Sequence, residues 1–193
     1  MTQYIEQSIK DSIALKEQLL ASNEDMATIN EVSHKIATLF KQGGKVLLCG
    51  NGGSASDAQH IAAEFVGRFV AARHALPAIA LTTDTSILTA VGNDFGFDTI
   101  FERQVEALGC SGDLLIGIST SGNSANVIKA LTKANAKGLT TFGLLGGSGG
   151  VCLPLCDSAI IVGSPEAARV QELHILIGHI LCGASEQLIC KDE

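Results

Sequence analysis

Apolar residues recur at three- and four-residue intervals through the first 42 positions. Ile5, Ile9, Ile13 and Leu20 form one run, and Ile29, Val32, Ile36, Leu39 and Phe40 form a second. That spacing returns side chains to one side of a helix at each turn, so both runs read as amphipathic helices. The polar stretch ASNED, residues 21–25, separates them, and Ser22 or Asn23 there is suited to cap the second helix. The segment therefore reads as a helical hairpin. From Lys45 the texture changes. KVLLCG, PAIALTT, DLLIGIS, TTFGLLGG and SAIIVG are short apolar runs without strict alternation, each followed by a polar, glycine-containing turn and a helical pattern. Strands apolar on both faces are covered on both faces, as parallel strands with crossover helices are. Five of them give an α/β fold: a five-stranded, parallel, doubly wound sheet of flavodoxin-like plan. The stretch from Glu166 to Cys190, with Val170, Leu173, Leu176, Ile177, Ile180 and Leu181, reads as one long closing helix. The chain thus divides into a hairpin over 1–42 and an α/β domain over 43–193, with no linker or repeat between them.

Composition fits that plan: 193 residues, 46% hydrophobic and 17% charged, support one domain with a helical extension. The formal net charge is −7 and no two Lys or Arg residues are adjacent. A nucleic-acid or membrane partner is therefore not expected, and any anionic ligand has to be held by local groups. The amino terminus is charged throughout and no stretch approaches a membrane span, so a cytoplasmic protein is expected. The six cysteines are scattered, without a CxxC pair, and read as reduced and mostly buried thiols.

Open α/β sheets bind ligands at the carboxyl ends of their strands, which directs attention to the turns after KVLLC and DLLIGI. In CGNGGSASDAQHIAAEF, Gly50, Gly52 and Gly53 let backbone approach a ligand, and Ser54 or Ser56 can cap the following helix. In ISTSGNSANVIKAL the theme repeats with Ser119, Thr120, Ser121 and Ser124. Free amides at a helix start favour a phosphate, and short hydroxyls add donors without bulk. One such loop alone reads as a well-capped turn; two in one sheet point to a phosphorylated small molecule. A Walker site is excluded because neither loop carries its lysine. The run Gly50, Gly52, Ala55 leaves a dinucleotide site as an alternative, although Asp84 lies too far along to serve the ribose. The GGSGG loop at 146–150 receives no role.

A second constellation is ionisable. His60, Glu64 and Arg68 recur every four residues after the first loop, and Gln171 and His179 lie two turns apart on the closing helix with Arg169 nearby. Such spacing usually marks a surface pair; adjacency to a phosphate-type loop is what points to acid–base chemistry on a sugar phosphate.

Four blocks, CGNGGSASDAQHIAAEFVGRF, AVGNDFGF, GDLLIGISTSGNSANVIKAL and ARVQELHILIGHIL, closely resemble the bacterial phosphoheptose isomerases of the sugar isomerase (SIS) superfamily. The resemblance runs over nearly the whole chain and makes 43–193 a SIS domain. It implies conversion of sedoheptulose 7-phosphate to D-glycero-D-manno-heptose 7-phosphate through an enediol, the entry step of heptose synthesis for surface glycans. It also implies a cytoplasmic homotetramer with active sites at subunit interfaces and the amino-terminal hairpin in the assembly. Glu64 and His179 match the catalytic pair. Substrate contacts are implied at Asn51, Gly52, Gly53, Ser54, Glu64 and Arg68, at Asn93 and Asp94, and at Ser119, Thr120, Ser121, Ser124 and Gln171. One zinc ion per subunit is implied, on His60, Glu64, Gln171 and His179. Ala168 stands where some relatives have an Asp. A related non-enzymatic protein of the same fold binds the replication initiator, but it lacks the acid and histidine that match Glu64 and His179.

Overall fold

The computed structural model describes residues 1–191. Helices α1 (Thr2–Ala21) and α2 (Asn23–Lys41) form the hairpin. Ser22 is the residue that breaks it: its hydroxyl accepts from the Asp25 amide at 3.2 Å and caps α2. Five strands follow, β1 (Val46–Gly50), β2 (Ala78–Ala80), β3 (Leu114–Ser119), β4 (Thr140–Gly146) and β5 (Ser158–Val162). They form one sheet in the order β2-β1-β3-β4-β5, every neighbouring pair parallel. All five fall within the apolar runs expected from the sequence, although β2 keeps only three residues of PAIALTT.

Alternate residues of each strand feed two cores. Val46 and Leu48, Ile116 and Ile118, and Phe142 and Leu144 meet α1, α2, α3 (Gly53–Val66) and α7 (Ala167–Cys190) on one face. Leu47, Cys49, Leu115 and Leu145 meet α5 (Ile100–Leu108) and α6 (Ala125–Ala136) on the other. α7 is long and apolar enough to cross a membrane by length and composition, contrary to the expectation that no stretch approaches a span. Half of it is buried, with Val170, Leu173, Ile177 and Leu181 against the sheet and α2. Each such side chain withdrawn from water contributes about 1.5–3 kcal/mol, which accounts for its apolarity as a core helix.

Two helices leave apolar faces outside these cores. On α1 the buried residues are Leu15 and Leu19, while Ile5, Ile9 and Ile13 are 52%, 56% and 49% exposed. The stripe read from the sequence thus faces away from this chain's own core. α4 (Thr85–Phe95) buries no residue, and Phe95 at its end and Phe97 just beyond it are exposed. Patches of this kind on a folded chain mark interaction surfaces. All six cysteines are unpaired; Cys110 is exposed rather than buried.

Candidate active site

In this strand order the chain runs outward from β1 in both directions, to β2 and to β3. The crevice where a doubly wound sheet takes its ligand lies beyond the carboxyl ends of β1 and β3. Both hydroxyl-rich loops arrive there, and they are tied together. Asn51 Nδ2 donates to Asn126 Oδ1 at 2.9 Å, and Asn126 Nδ2 donates back to Asn51 Oδ1 at 2.8 Å.

The loop after β3 is held open by its own hydroxyls. Ser119 and Ser124 share a hydrogen bond of 2.9 Å, and Ser121 Oγ accepts from the Asn123 amide at 3.1 Å. Ser124 is the N-cap residue of α6, yet its side chain makes no cap bond. The first-turn amides of α6 and the positive end of its dipole are therefore left available to an anion. α3 starts in the same uncapped way. Its N-cap is Gly52 at φ +56°, and neither Ser54, which is buried, nor Ser56 caps it, which corrects the expectation from the sequence. By contrast α4 is capped by Asp84, whose Oδ1 accepts from the Ile87 amide at 2.9 Å. Asp84, too far along to serve a ribose, is thus used as a helix cap.

The glycine loop given no role by the sequence has one. A Cβ on Gly146 would lie 2.1 Å from the Thr120 carbonyl oxygen, and a Cβ on Gly122 would lie 2.2 Å from that of Gly149. The Val151 amide donates to Asn123 Oδ1 and the Cys152 amide to the Gly122 carbonyl. Loop 146–150 is thus the floor on which the hydroxyl loop rests, and its glycines are what permit backbone to meet backbone. Below it the fully buried His174 ring joins the Leu145 carbonyl through Nε2 at 3.1 Å, and burial lowers its pKa to about 4.

The ionisable cluster forms where α3 and α7 run side by side. His60 Nε2 is 3.2 Å from Glu64 Oε1 and 3.1 Å from His179 Nε2. The His60 and His179 rings lie edge to face at 4.9 Å, and Phe69 packs on His179 at 5.7 Å. One ligand atom from each of His60, Glu64 and His179 lies within 4.8 Å of the other two. Donors around a tetrahedral zinc with bonds of about 2.0–2.1 Å are separated by roughly 3.3 Å. The three therefore fit a divalent cation with an open coordination position, and their nitrogen and oxygen chemistry suits zinc.

Gln171, expected as a fourth ligand, packs its amide over Gly53 at the start of α3. Arg68 is not on the helix at all. α3 ends at Val66 with Gly67 as C-cap, which leaves Arg68 exposed beyond it. Asn93 and Asp94 occupy the last turn of α4, exposed, with Asn93 Nδ2 donating to Asp94 Oδ1 at 2.8 Å. Among the described residues no hydrogen bond or ion pair joins them to either loop or to the cluster. Ala168 lies exposed in the first turn of α7.

A family profile described as SIS domain matches residues 9–146. The phosphoheptose isomerase of Aneurinibacillus thermoaerophilus is 52% identical over 193 residues, covering 100% of this chain and 98% of that protein. The phosphoheptose isomerase of Aquifex aeolicus is 60% identical over 163 residues, covering 84% of this chain and 85% of that protein. The solved structure of the phosphoheptose isomerase GmhA from Neisseria gonorrhoeae superposes with a TM-score of 0.89 at 42% identity, covering 96% of this chain and 98% of that one. With the family profile spanning most of the chain and such relatives covering 84–100% of it, the chain belongs to the SIS-domain family and, within it, to the phosphoheptose isomerases.

Proposed function

We propose that this isomerase interconverts sedoheptulose 7-phosphate and D-glycero-D-manno-heptose 7-phosphate, the first step toward activated heptose for surface glycans, by proton transfer through an enediol. The observation that carries the reading is the convergence of a carboxylate and two imidazoles, Glu64, His60 and His179, in a protein whose sheet also presents an uncapped hydroxyl loop. The phosphate binds the α6 amides and the hydroxyls of Ser119, Thr120, Ser121 and Ser124. Charge-assisted hydrogen bonds of that kind hold an anion without a lysine. Glu64 takes the proton from C1 of the ketose and returns it to C2. His179 gives a proton to the C2 oxygen as the enediol forms and removes one from the C1 oxygen as it collapses. Both groups must be poised close to the reacting atoms, which their separate helices achieve.

His60, Glu64 and His179 are also the residues that would hold zinc, which when bound supplies a Lewis acid for the substrate's oxygens. A carboxylate or imidazole engaged by a cation would be a weaker base, so Glu64 and His179 would move protons only where the cation leaves them free. Gln171, over Gly53 at the start of α3, would meet substrate oxygens.

Apolar faces left outside this chain's own cores support a homotetramer with sites at subunit interfaces. The outward stripe of α1 and the unburied face of α4, which carries Asn93 and Asp94, are the surfaces that such an assembly would cover. A cytoplasmic location accords with a phosphorylated sugar substrate and six unpaired thiols. The test is direct: purified protein with sedoheptulose 7-phosphate, with and without a chelator, followed by NMR. Appearance of the aldose phosphate is expected; no product in either condition would point instead to a binding protein.

A further inference from the structure

The loop after α3 is held by a buried ion pair that neither the hydroxyl loop nor the cluster uses. Arg73 and Glu186 have side chains only 1% and 3% exposed, with Arg73 Nε 3.0 Å from Glu186 Oε2. The guanidinium reaches back to the end of α3. Its Nη2 donates to the Glu64 carbonyl at 3.0 Å, and its Nη1 donates to the carbonyls of Phe65 and His74, each at 2.9 Å. A helix end leaves such carbonyls without partners, and a cation there is favoured by the dipole. The Glu186 carboxylate, on α7, accepts from three consecutive amides, those of Phe69, Val70 and Ala71, at 3.1, 2.9 and 2.7 Å. Burial alone would raise the Glu186 carboxyl, but these amides and Arg73 outweigh it and hold it below its usual range.

The pair therefore does two things at once. It fastens the last turn of α3, at Glu64 itself, and it fastens the loop carrying Phe69, which packs on His179, to a point two turns beyond His179 on α7. Nothing else among the described residues ties the backbone of Glu64 to α7 through charge. We propose that Arg73 and Glu186 are a positioning pair that sets the spacing between Glu64 and His179 across the α3–α7 seam. The proposal rests on the assignment of Glu64 and His179 as the reacting pair. Misplacement of about 1 Å at such a pair costs roughly a hundredfold in rate, whereas phosphate binding at the hydroxyl loop, which the pair does not contact, is untouched.

The experiment compares Arg73→Lys and Glu186→Gln with Val105→Ala, a core substitution on the opposite face of the sheet. For each, kcat, KM and Tm are measured well below Tm, together with the affinity of the metal-free protein for zinc by chelator competition. Arg73→Lys and Glu186→Gln are expected to lose about 10- to 100-fold in kcat and about 10-fold or more in zinc affinity, with KM changed less than about threefold. Val105→Ala at the same loss of Tm keeps both. Should Glu186→Gln not fold, Glu186→Asp keeps the charge but withdraws it by one methylene and is expected to show the same split. Parent-like kcat and zinc affinity in folded variants, or losses no larger than those of Val105→Ala at matched Tm, overturn the proposal. Glu64→Gln in the same assay separates the two ideas. If it is inactive while the clamp variants are fully active, only the clamp falls; if it is active, the assignment of the reacting pair falls.

Discussion

The hydroxyl loop and the ionisable cluster are built in opposite ways. The hydroxyls of the loop after β3 bond mainly to one another and to their near neighbours, such as Ser119 to Ser124 across five positions, although the loop also rests on Val151 and Cys152 and is tied to Asn51. The cluster joins His60 to His179 across 119 positions, and it exists only because α3 and α7 pack in parallel. That packing depends on small residues at the seam: a Cβ on Gly178 would lie 2.5 Å from Ile61 Cδ1, and one on Gly53 would lie 2.4 Å from the Gln171 amide nitrogen. The anion site takes its hydroxyls from one turn of chain, whereas the acid–base site brings His179 to His60 and Glu64 from a distant helix. The first should therefore fail by weakened binding and the second by lost turnover.

The largest effect expected is on the cluster. Glu64→Gln and His179→Gln should each lower kcat by at least about a thousandfold while Tm stays near that of the parent, and the double variant should be little worse than either single one. A structural role would instead lower Tm and leave activity per folded molecule intact. Next is Gly122→Ala. Its positive φ of +66° and the Gly149 carbonyl 2.2 Å from the new Cβ force the hydroxyl loop off its floor. A rise in KM of about tenfold or more and a lower Tm are expected, both visible in one series of assays with thermal melts. Ser124→Ala is milder: loss of one donor to a charged phosphate costs about 1–3 kcal/mol, read as raised KM with kcat nearly kept. A fall in kcat at unchanged KM would erase the distinction between the two regions.

The smallest effect at neutral pH sits beneath the loop. Burial lowers the His174 pKa from 6.5 to about 4, so between those values the unfolded chain binds a proton that the folded chain does not. Its contribution is fully present above about pH 6.5 and is lost as pH falls toward 4, up to about 3 kcal/mol. Asp57, raised by burial to about 6, acts in the opposite sense over much of that window. The parent alone thus shows a blunted slope. The difference in stability between the parent and His174→Gln isolates the histidine and should shrink as pH falls from 6.5 to 4; a pH-independent difference would contradict the assignment.

What the sequence made legible follows the same division. The strands were readable because burial on both faces writes continuous apolar runs, as in DLLIGIS, and Ser22 was readable as a cap because capping is local. Loop 119–124 was readable for the same reason. His60 and Glu64 could be paired from their helical spacing, but extending that spacing to Arg68 failed because Gly67 ends the helix first. The stripe on α1 had the right period, but period says which residues share a face and not what covers it. The floor role of Gly146–Gly150 and the clamp of Arg73 on Glu186 left no local mark. A glycine run also spells a flexible turn, and two charges 113 positions apart look like surface residues until the fold buries them.

The most direct test of the account follows the C1 proton itself. Parent and Glu64→Gln proteins are incubated with sedoheptulose 7-phosphate in D2O, and deuterium entering C1 of the ketose and C2 of the aldose is read by NMR. If Glu64 is the base that moves that proton, the parent exchanges it with solvent during turnover and Glu64→Gln shows no exchange above the buffer rate while remaining folded. Exchange by Glu64→Gln at the parent's rate would contradict the account.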